Sequence, residues 1–96
     1  MRISTHPGEI LCEDLMVPHK INANQLAAAI GISATAVEQI IHGKRAVTPD
    51  TALRLGRFFG TTPEFWINLQ TAHDLSVAQA AHGGKINRDV HPRSEG

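Results

Sequence analysis

Helix-capping and helix-breaking residues recur along this chain at short intervals. Thr48-Pro49-Asp50 and Thr62-Pro63-Glu64 each place an N-cap residue before a proline at the first helical position, with an acidic residue in the first turn. Asn22 and Ser33 are two further residues of the type that caps helix N-termini. Glycines, which often end helices in the left-handed conformation, follow three of the segments, at positions 31, 43 and 60. The chain is therefore expected to form brief helices joined by connectors of a few residues.

Apolar residues between these breakers recur at spacings of three and four, which is the period of one buried helix face. The first segment runs from residue 7 to 16 and ends before Pro18, and the fifth begins at Pro63. No run of alternating β-branched residues suggests a strand. The pattern predicts an all-α protein of five helices.

The length of 96 residues is that of one domain with a single modest core. We expect a helical domain over residues 1–81 with its last helix over 63–80, followed by a flexible polar tail over 82–96. The tail prediction rests on Gly83-Gly84 and on the polar residues after this pair.

No apolar stretch approaches the length of a membrane span, and the N-terminus lacks the apolar segment of a signal peptide. The single cysteine, Cys12, has no second cysteine with which to form an internal disulfide, and it fits a reducing compartment. These features predict a cytoplasmic protein with no membrane association.

The sequence offers no constellation of residues for catalysis. Its six histidines include no pair at the helical i, i+4 spacing, and one cysteine gives no zinc-type cluster. Cys12 has no neighbouring base that would activate it as a nucleophile. We therefore expect no metal, no cofactor and no enzymatic activity.

Residues 23–43 meet the requirements of a helix-turn-helix motif. Ala27 is the small residue that lets the two helix backbones approach, and Gly31 supplies the positive φ that the turn needs. Val37 and Ile40 anchor the inner face of the second helix. Because the N-terminal part of that second helix enters the major groove in such motifs, the segment predicts DNA binding.

The candidate DNA contacts lie on the second helix of the motif and just after it. They are Ser33, Ala34, Thr35, Ala36, Glu38, Gln39, His42, Lys44 and Arg45. Gln39 can pair with adenine through two hydrogen bonds, and Thr35 can offer a hydroxyl or a methyl group to a base. Lys44 and Arg45 are suited to backbone phosphates.

Simpler roles remain open for several of these residues. Ser33 is a helix cap whether or not it also contacts a phosphate. Glu38 is either a cytosine contact or a solvated charge. His42 either interacts with the helix dipole or a phosphate, or is a solvated side chain. Ala34 and Ala36 offer only methyl groups, so the shape of the DNA could carry part of the specificity.

Charge is distributed unevenly along a chain whose formal net charge is zero. Between Lys20 and Arg57 there are five basic residues and two acidic ones, whereas acidic residues are in excess on either side. A basic middle segment favours phosphate contact. Overall neutrality leaves a different class open, namely a protein-interaction module that keeps the helix-turn-helix shape without binding DNA.

Several blocks of the sequence resemble the HigA antitoxin branch of the phage-repressor-like (Xre) regulators, over roughly residues 6–80. Beside the motif itself, the blocks are HPGEIL at 6–11, GKR at 43–45, TPDTALRL at 48–55 and GTTPEFWINLQ at 60–70. The chain departs from related regulators at Ala23, where many have glutamine, and at Ala34, where repressors often have a polar residue. These departures leave the operator sequence open.

The resemblance implies a five-helix, lambda-repressor-like domain that acts as an antitoxin. Such a protein forms a homodimer, binds a palindrome in the promoter of its own operon, and holds a HigB-like toxin inactive. The toxin would be a RelE-like, ribosome-dependent mRNA interferase. A stand-alone Xre-type transcriptional repressor without a toxin partner is the alternative.

A palindromic site requires two copies of the chain. Phe65, Trp66 and Leu69 are aromatic and leucine residues at helical spacing, which is the pattern of a core face. Aromatic residues are also enriched at interfaces. A dimer interface that includes these three residues is therefore the second interpretation.

Overall fold

The computed structural model describes residues 3–93 of the chain. Within that range the chain is helical and contains no strand, which confirms the all-α prediction. The elements are α1 (Pro7–Ile10), which continues directly into a π-helical segment (Leu11–Met16), α2 (Ala23–Ile30), α3 (Ala34–Ile41), α4 (Pro49–Phe59) and α5 (Pro63–Asp89). None of these helices is both long enough and apolar enough to cross a bilayer.

The helix boundaries follow the capping residues of the sequence. Asn22 Oδ1 accepts a hydrogen bond from the Gln25 backbone N–H at 2.8 Å, and Gln25 Oε1 accepts one from the Asn22 N–H at 2.9 Å, which completes a capping box. Ser33 Oγ accepts from the backbone N–H of Ala36 at 3.0 Å. Thr48 and Thr62 cap α4 and α5 in the same way, each ahead of a proline.

The core is formed where the N-terminal helical segment, α2, α3 and α4 meet the first half of α5. Its largest fully buried side chains are Trp66, Leu11, Leu26, Ile40 and Leu55. The indole N–H of Trp66 donates to Thr61 Oγ1 at 2.8 Å, so the one polar atom of this side chain is satisfied inside the fold.

The predicted dimer interface over Phe65, Trp66 and Leu69 is wrong for Trp66, which is completely buried within the chain. Leu69 is half-buried and packs against the same core. Phe65 is 41% exposed and lies edge-on to the Trp66 ring, with 5.1 Å between the ring centroids. The core interpretation therefore holds for two of the three residues.

The prediction that the last helix ends at residue 80 is also wrong, because α5 continues to Asp89 and passes through Gly83-Gly84. Glycine ends a helix when it adopts the left-handed conformation, and neither of these two residues has a positive φ. Each then costs only about 1 kcal/mol relative to alanine. Residues 94–96 of the predicted tail lie outside the described residues.

Gly8 sets the position of α1 against α3. A Cβ atom built on Gly8 would overlap the carbonyl oxygen of Ile40, and it would lie 3.0 Å from the Cα of Ile41. Only glycine permits this approach of the two backbones. The N-terminus of the first helix is thereby packed against the C-terminal end of α3.

Candidate nucleic-acid interface

The helices α2 and α3 form the two halves of the motif. Gly31, in the turn between them, has a φ of +76°, as predicted. Ala36, Val37 and Ile40 form the buried face of α3. The opposite face of α3 is consequently turned away from the core.

The outward side of α3 is a shallow concave surface. Ala34, Thr35, Glu38, Gln39, His42 and Lys44 line it. Five of them form two neighbouring rows along α3 and its C-cap, with a spacing of four residues within each row, and Lys44 follows the helix. We call this surface the α3 face. It brings together six of the nine residues predicted to contact DNA, although contact with DNA itself remains a prediction.

Ala36 is the exception among the α3 residues that were predicted to contact bases. Its side chain is 7% exposed and lies on the core side with Val37 and Ile40. The prediction that Ala36 contacts a base is therefore wrong. Its position four residues before Ile40 was the available signal, since residues at i and i+4 share one helix face.

Gln39 and Arg45 are joined by a hydrogen bond. Arg45 Nε donates to Gln39 Oε1 at 2.8 Å. Since a carboxamide oxygen has two acceptor positions, Gln39 can still accept from an adenine amino group while its own NH₂ donates to N7. Arg45, predicted only as a phosphate contact, thus also orients the amide of Gln39.

His42 and Glu38 form a second pair on the α3 face. His42 Nδ1 lies 2.8 Å from the backbone oxygen of Glu38, and because that carbonyl only accepts, Nδ1 carries the proton. The same nitrogen is 4.0 Å from Glu38 Oε2. The two groups form an ion pair only when the imidazole is protonated.

Arg54 supports the motif from α4, a role that sequence reasoning missed. Its Nη1 donates to the backbone oxygen of Ile30 at 2.8 Å and to that of Gly31 at 3.3 Å. Its Nε donates to Asp50 Oδ2, also at 2.8 Å. The carbonyls at the end of α2 are satisfied by this guanidinium. The i, i+4 spacing of Asp50 and Arg54 was the only local signal.

The N-terminal segment joins α5 to the loop that follows α3. The Ser4 N–H donates to Ser76 Oγ at 2.8 Å, and His73 Nδ1 donates to the Ser4 oxygen at 2.7 Å. His6 then stacks edge-on to His73 with 4.9 Å between ring centroids, and its Nδ1 accepts the Gly8 N–H at 2.9 Å. These bonds hold His6 beside Gly43 in that loop.

The pKa of His6 is lowered from its ordinary value of 6.5. Burial of the ring is the largest cause, and the neighbouring His73 acts in the same direction. Asp74 and the backbone of Arg45 oppose the shift. The neutral form of His6, which accepts the Gly8 N–H, is therefore favoured in the folded chain.

The buried anchors, the left-handed turn and the exposed α3 face define a helix-turn-helix DNA-binding regulator. A helix-turn-helix family model matches residues 13–66, which is more than half of the chain. Among solved structures, an addiction module antidote protein of the HigA family from Coxiella burnetii is 50% identical, with a TM-score of 0.91 over 96% of this chain and 100% of the other. This chain belongs to the HigA antitoxin branch of the helix-turn-helix family.

Two further proteins place the chain in the same group. Virulence-associated protein I of Dichelobacter nodosus is 45% identical over 77% of this chain and 68% of its own length. The Pseudomonas aeruginosa antitoxin HigA, solved with the higBA promoter, is 39% identical with a TM-score of 0.91 over 94% of this chain and 98% of the other. The group consists of DNA-binding antitoxins and transcriptional regulators and is not an enzyme class.

Proposed function

We propose that this chain is the antitoxin of a HigBA-type toxin–antitoxin module and represses its own operon. Two copies bind a palindrome in the operon's promoter, each with the α3 face in a major groove. The same chain binds a RelE-like mRNA interferase toxin and holds it inactive. The α3 face is the observation that carries the DNA-binding half of this proposal.

The chemistry of the α3 face suits a major groove. Gln39 and Thr35 are the groups able to contact base edges, and the amides at the start of α3 favour an anion. Lys44 lies at the edge of the face, where a phosphate contact positions a recognition helix. The P. aeruginosa antitoxin solved with its promoter supports DNA binding by this fold.

The toxin half of the proposal rests on the family alone. The C. burnetii relative is described as an addiction module antidote, and its full length matches this chain. A stand-alone Xre-type repressor is the alternative, and an open reading frame for a short basic protein beside this gene would favour the antitoxin. Co-purification of that product with this chain, together with relief of its mRNA cleavage, tests the assignment.

The DNA-binding half is tested by gel-shift titration of the full chain against its own promoter and a scrambled duplex, at two salt concentrations. We expect a preference for the promoter and a steep loss of affinity with salt, because phosphate contacts release counterions. Equal binding to both duplexes, or none, would instead support a protein-interaction module that has lost DNA binding.

A further inference from the structure

The helix that carries the α3 face has little direct contact with α4. It packs on α2 and on α1, whereas α4 packs on α5 and, to a smaller extent, on α2. The direction of α3 relative to α4 and α5 therefore depends on how the end of α2 and the turn over residues 31–33 are held. Arg54 is the side chain of α4 that bonds to this turn.

The turn leaves two backbone carbonyls for a donor outside α2. The N–H groups of Gly31 and Ile32 both donate to the Ala27 oxygen, at 2.9 and 3.2 Å, as at many helix ends. The oxygens of Ile30 and Gly31 accept instead from Arg54 Nη1, at 2.8 and 3.3 Å. Because the last carbonyls of a helix have no partner within that helix, these bonds tie the end of α2 directly to α4.

The guanidinium of Arg54 is also held in direction. Its Nε donates to Asp50 Oδ2 at 2.8 Å, one turn earlier on α4. Because the guanidinium is planar and its donors are fixed relative to one another, bonds on both sides set its orientation as well as its distance. A Cβ atom at Gly31 would lie 2.9 Å from Nη1, so the group lies directly against the turn. The bridge from Asp50 through Arg54 thus fixes the turn relative to α4.

The end of α3 that follows this turn carries the first residues of the α3 face. Ser33 caps the helix, and Ala34 and Thr35 come next. A change in the turn would therefore be carried straight into these residues. Base contacts require hydrogen bonds of the right length and angle, whereas phosphate contacts carry no sequence information. A tilt of α3 should consequently weaken promoter binding more than binding to unrelated DNA.

The opposite end of α3 is held separately. The backbone of α1 at Gly8 packs against Ile40, and His6 lies beside Gly43 in the following loop. These contacts do not involve Arg54. Loss of the Arg54 bridge should therefore leave the fold in place and release only the N-terminal end of α3.

We propose that Arg54 is a positioning residue for promoter recognition. It fixes the direction of α3 from α4, through the turn, and does not itself contact DNA. The inference rests on the proposed function in one respect, since preference for a promoter is the property that Arg54 affects. Because Arg54 is basic, a phosphate contact is the competing interpretation, and the test separates the two roles.

The test compares Arg54→Ala with Arg57→Ala in the full chain, by gel-shift titration against the promoter and a scrambled duplex at several salt concentrations. Arg57 is exposed on the same helix and carries the same charge, but no hydrogen bond joins it to α2 within residues 3–93. We expect Arg54→Ala to lower the ratio of promoter to scrambled affinity about tenfold, through misplaced base contacts. Arg57→Ala should keep the natural ratio, and both variants should have the same slope of log affinity against log salt.

Asp50→Ala gives a second test, in which charge and position act in opposite directions. Removing a carboxylate should strengthen binding to any DNA, because the chain becomes more positive. Arg54 meanwhile loses the partner of its Nε. We therefore expect tighter binding to the scrambled duplex together with a smaller ratio of promoter to scrambled affinity. A rise in both affinities at an unchanged ratio would contradict the bridge.

The orientation of α3 can also be measured without DNA. Residual dipolar couplings of backbone N–H groups report the direction of each helix in a common frame. In Arg54→Ala the couplings of α3 should no longer fit the natural orientation relative to α4 and α5, whereas those of Arg57→Ala should fit it. Urea unfolding shows whether each variant is folded. If Arg54→Ala does not fold, Arg54→Lys keeps the charge without the planar fork, and it should show a smaller change in the same direction.

The inference would be overturned by a natural affinity ratio in Arg54→Ala, by equal losses of the ratio in both arginine variants, or by α3 couplings that fit the natural orientation. A salt slope that is flatter by about 0.9 in Arg54→Ala alone would show a phosphate contact instead. A natural chain without promoter preference would refute repression, and the couplings would then decide the role of Arg54. A promoter preference that Arg54→Ala leaves unchanged would refute the positioning role alone.

Discussion

Gln39 carries the only carboxamide on the α3 face, and Arg45 holds its oxygen. We expect Gln39→Ala to weaken binding to the proper operator by about 1–3 kcal/mol and to relax specificity at one base pair. Arg45→Ala should produce part of the same loss, because the arginine acts partly through Gln39.

The coupling between the two residues is measurable as a double-mutant cycle on promoter affinity. The losses of binding free energy in the two single variants should sum to more than the loss in the double variant. Additive losses of binding free energy would show that Arg45 does not act through Gln39. A second test measures the affinity of Gln39→Ala for promoters altered one base pair at a time. Unchanged specificity in that series would show that α3 lies in the groove in a different orientation.

Lys44 is expected to contact a phosphate without regard to sequence. Lys44→Ala should weaken binding to promoter and scrambled DNA alike, and it should flatten the slope of log affinity against log salt by about 0.9. Lys85→Ala removes the same charge on the C-terminal half of α5 and serves as the control. Equal slopes for the two variants would place Lys44 outside the DNA contact.

At the scale of helices, the same glycine-to-alanine change should have opposite effects at two positions. Gly8→Ala forces a Cβ into the backbone of α3 and should destabilise the fold by about 1–3 kcal/mol. At Gly84 an added Cβ would lie 3.7 Å from its nearest neighbour, Arg88 Nη1, which is ordinary contact. Gly84→Ala should therefore stabilise α5 by about 0.5–1 kcal/mol.

Urea unfolding of the two variants beside the natural chain measures both effects. Equal stability of Gly8→Ala and the natural chain would mean that α1 can move away from Ile40 without cost. A loss of stability in Gly84→Ala would contradict its regular helical conformation.

The helix starts were predictable because capping is local. Asn22, Ser33, Thr48 and Thr62 each accept a hydrogen bond from the backbone N–H three residues ahead, so the sequence of one turn is enough to place them. The end of α5 depends on whether Gly83-Gly84 leaves the helix, and helical and left-handed conformations are both open to glycine. The residues that flank Gly83-Gly84 do not indicate which of these two conformations the glycines adopt.

Across the whole molecule, His6 couples the N-terminal segment, α5 and the loop after α3. His73, Asp74 and the backbone of Arg45 act on its ring, and Glu9 and His42 lie in the same small cleft. Because the folded chain lowers the pKa of His6 below 6.5, the unfolded chain takes up a proton more readily. Its contribution to stability is complete above pH 6.5 and is lost as pH falls through the folded pKa.

His6→Asn tests this dependence, because an asparagine oxygen can accept the Gly8 N–H but does not titrate. Denaturant unfolding of both proteins from about pH 7.5 down to about pH 5 should show the smaller decline for the variant. Parallel pH profiles would show that His6 does not determine the acid sensitivity.

The general location of the site was predictable, whereas the contacts that support it were not. Periodicity placed the motif and most of the α3 face, since both depend on residues a few positions apart. Arg54 contacts Ile30 across 24 positions of sequence, and Ser4 contacts Ser76 across 72. Such pairs form only when separate helices have packed. The position of Trp66 in the sequence is compatible with both the core and an interface, because both require an apolar helix face.

Thr35, Glu38 and Gln39 are the polar residues on the outward side of α3 itself, and none of the three belongs to the buried core. Thr35, Glu38 and Gln39 could thus be exchanged at little cost in folding. In a bacterium with several related regulators, changes at these three positions would prevent one regulator from binding the promoter of another. Duplicated copies could then diverge in the promoter they control while retaining a common scaffold.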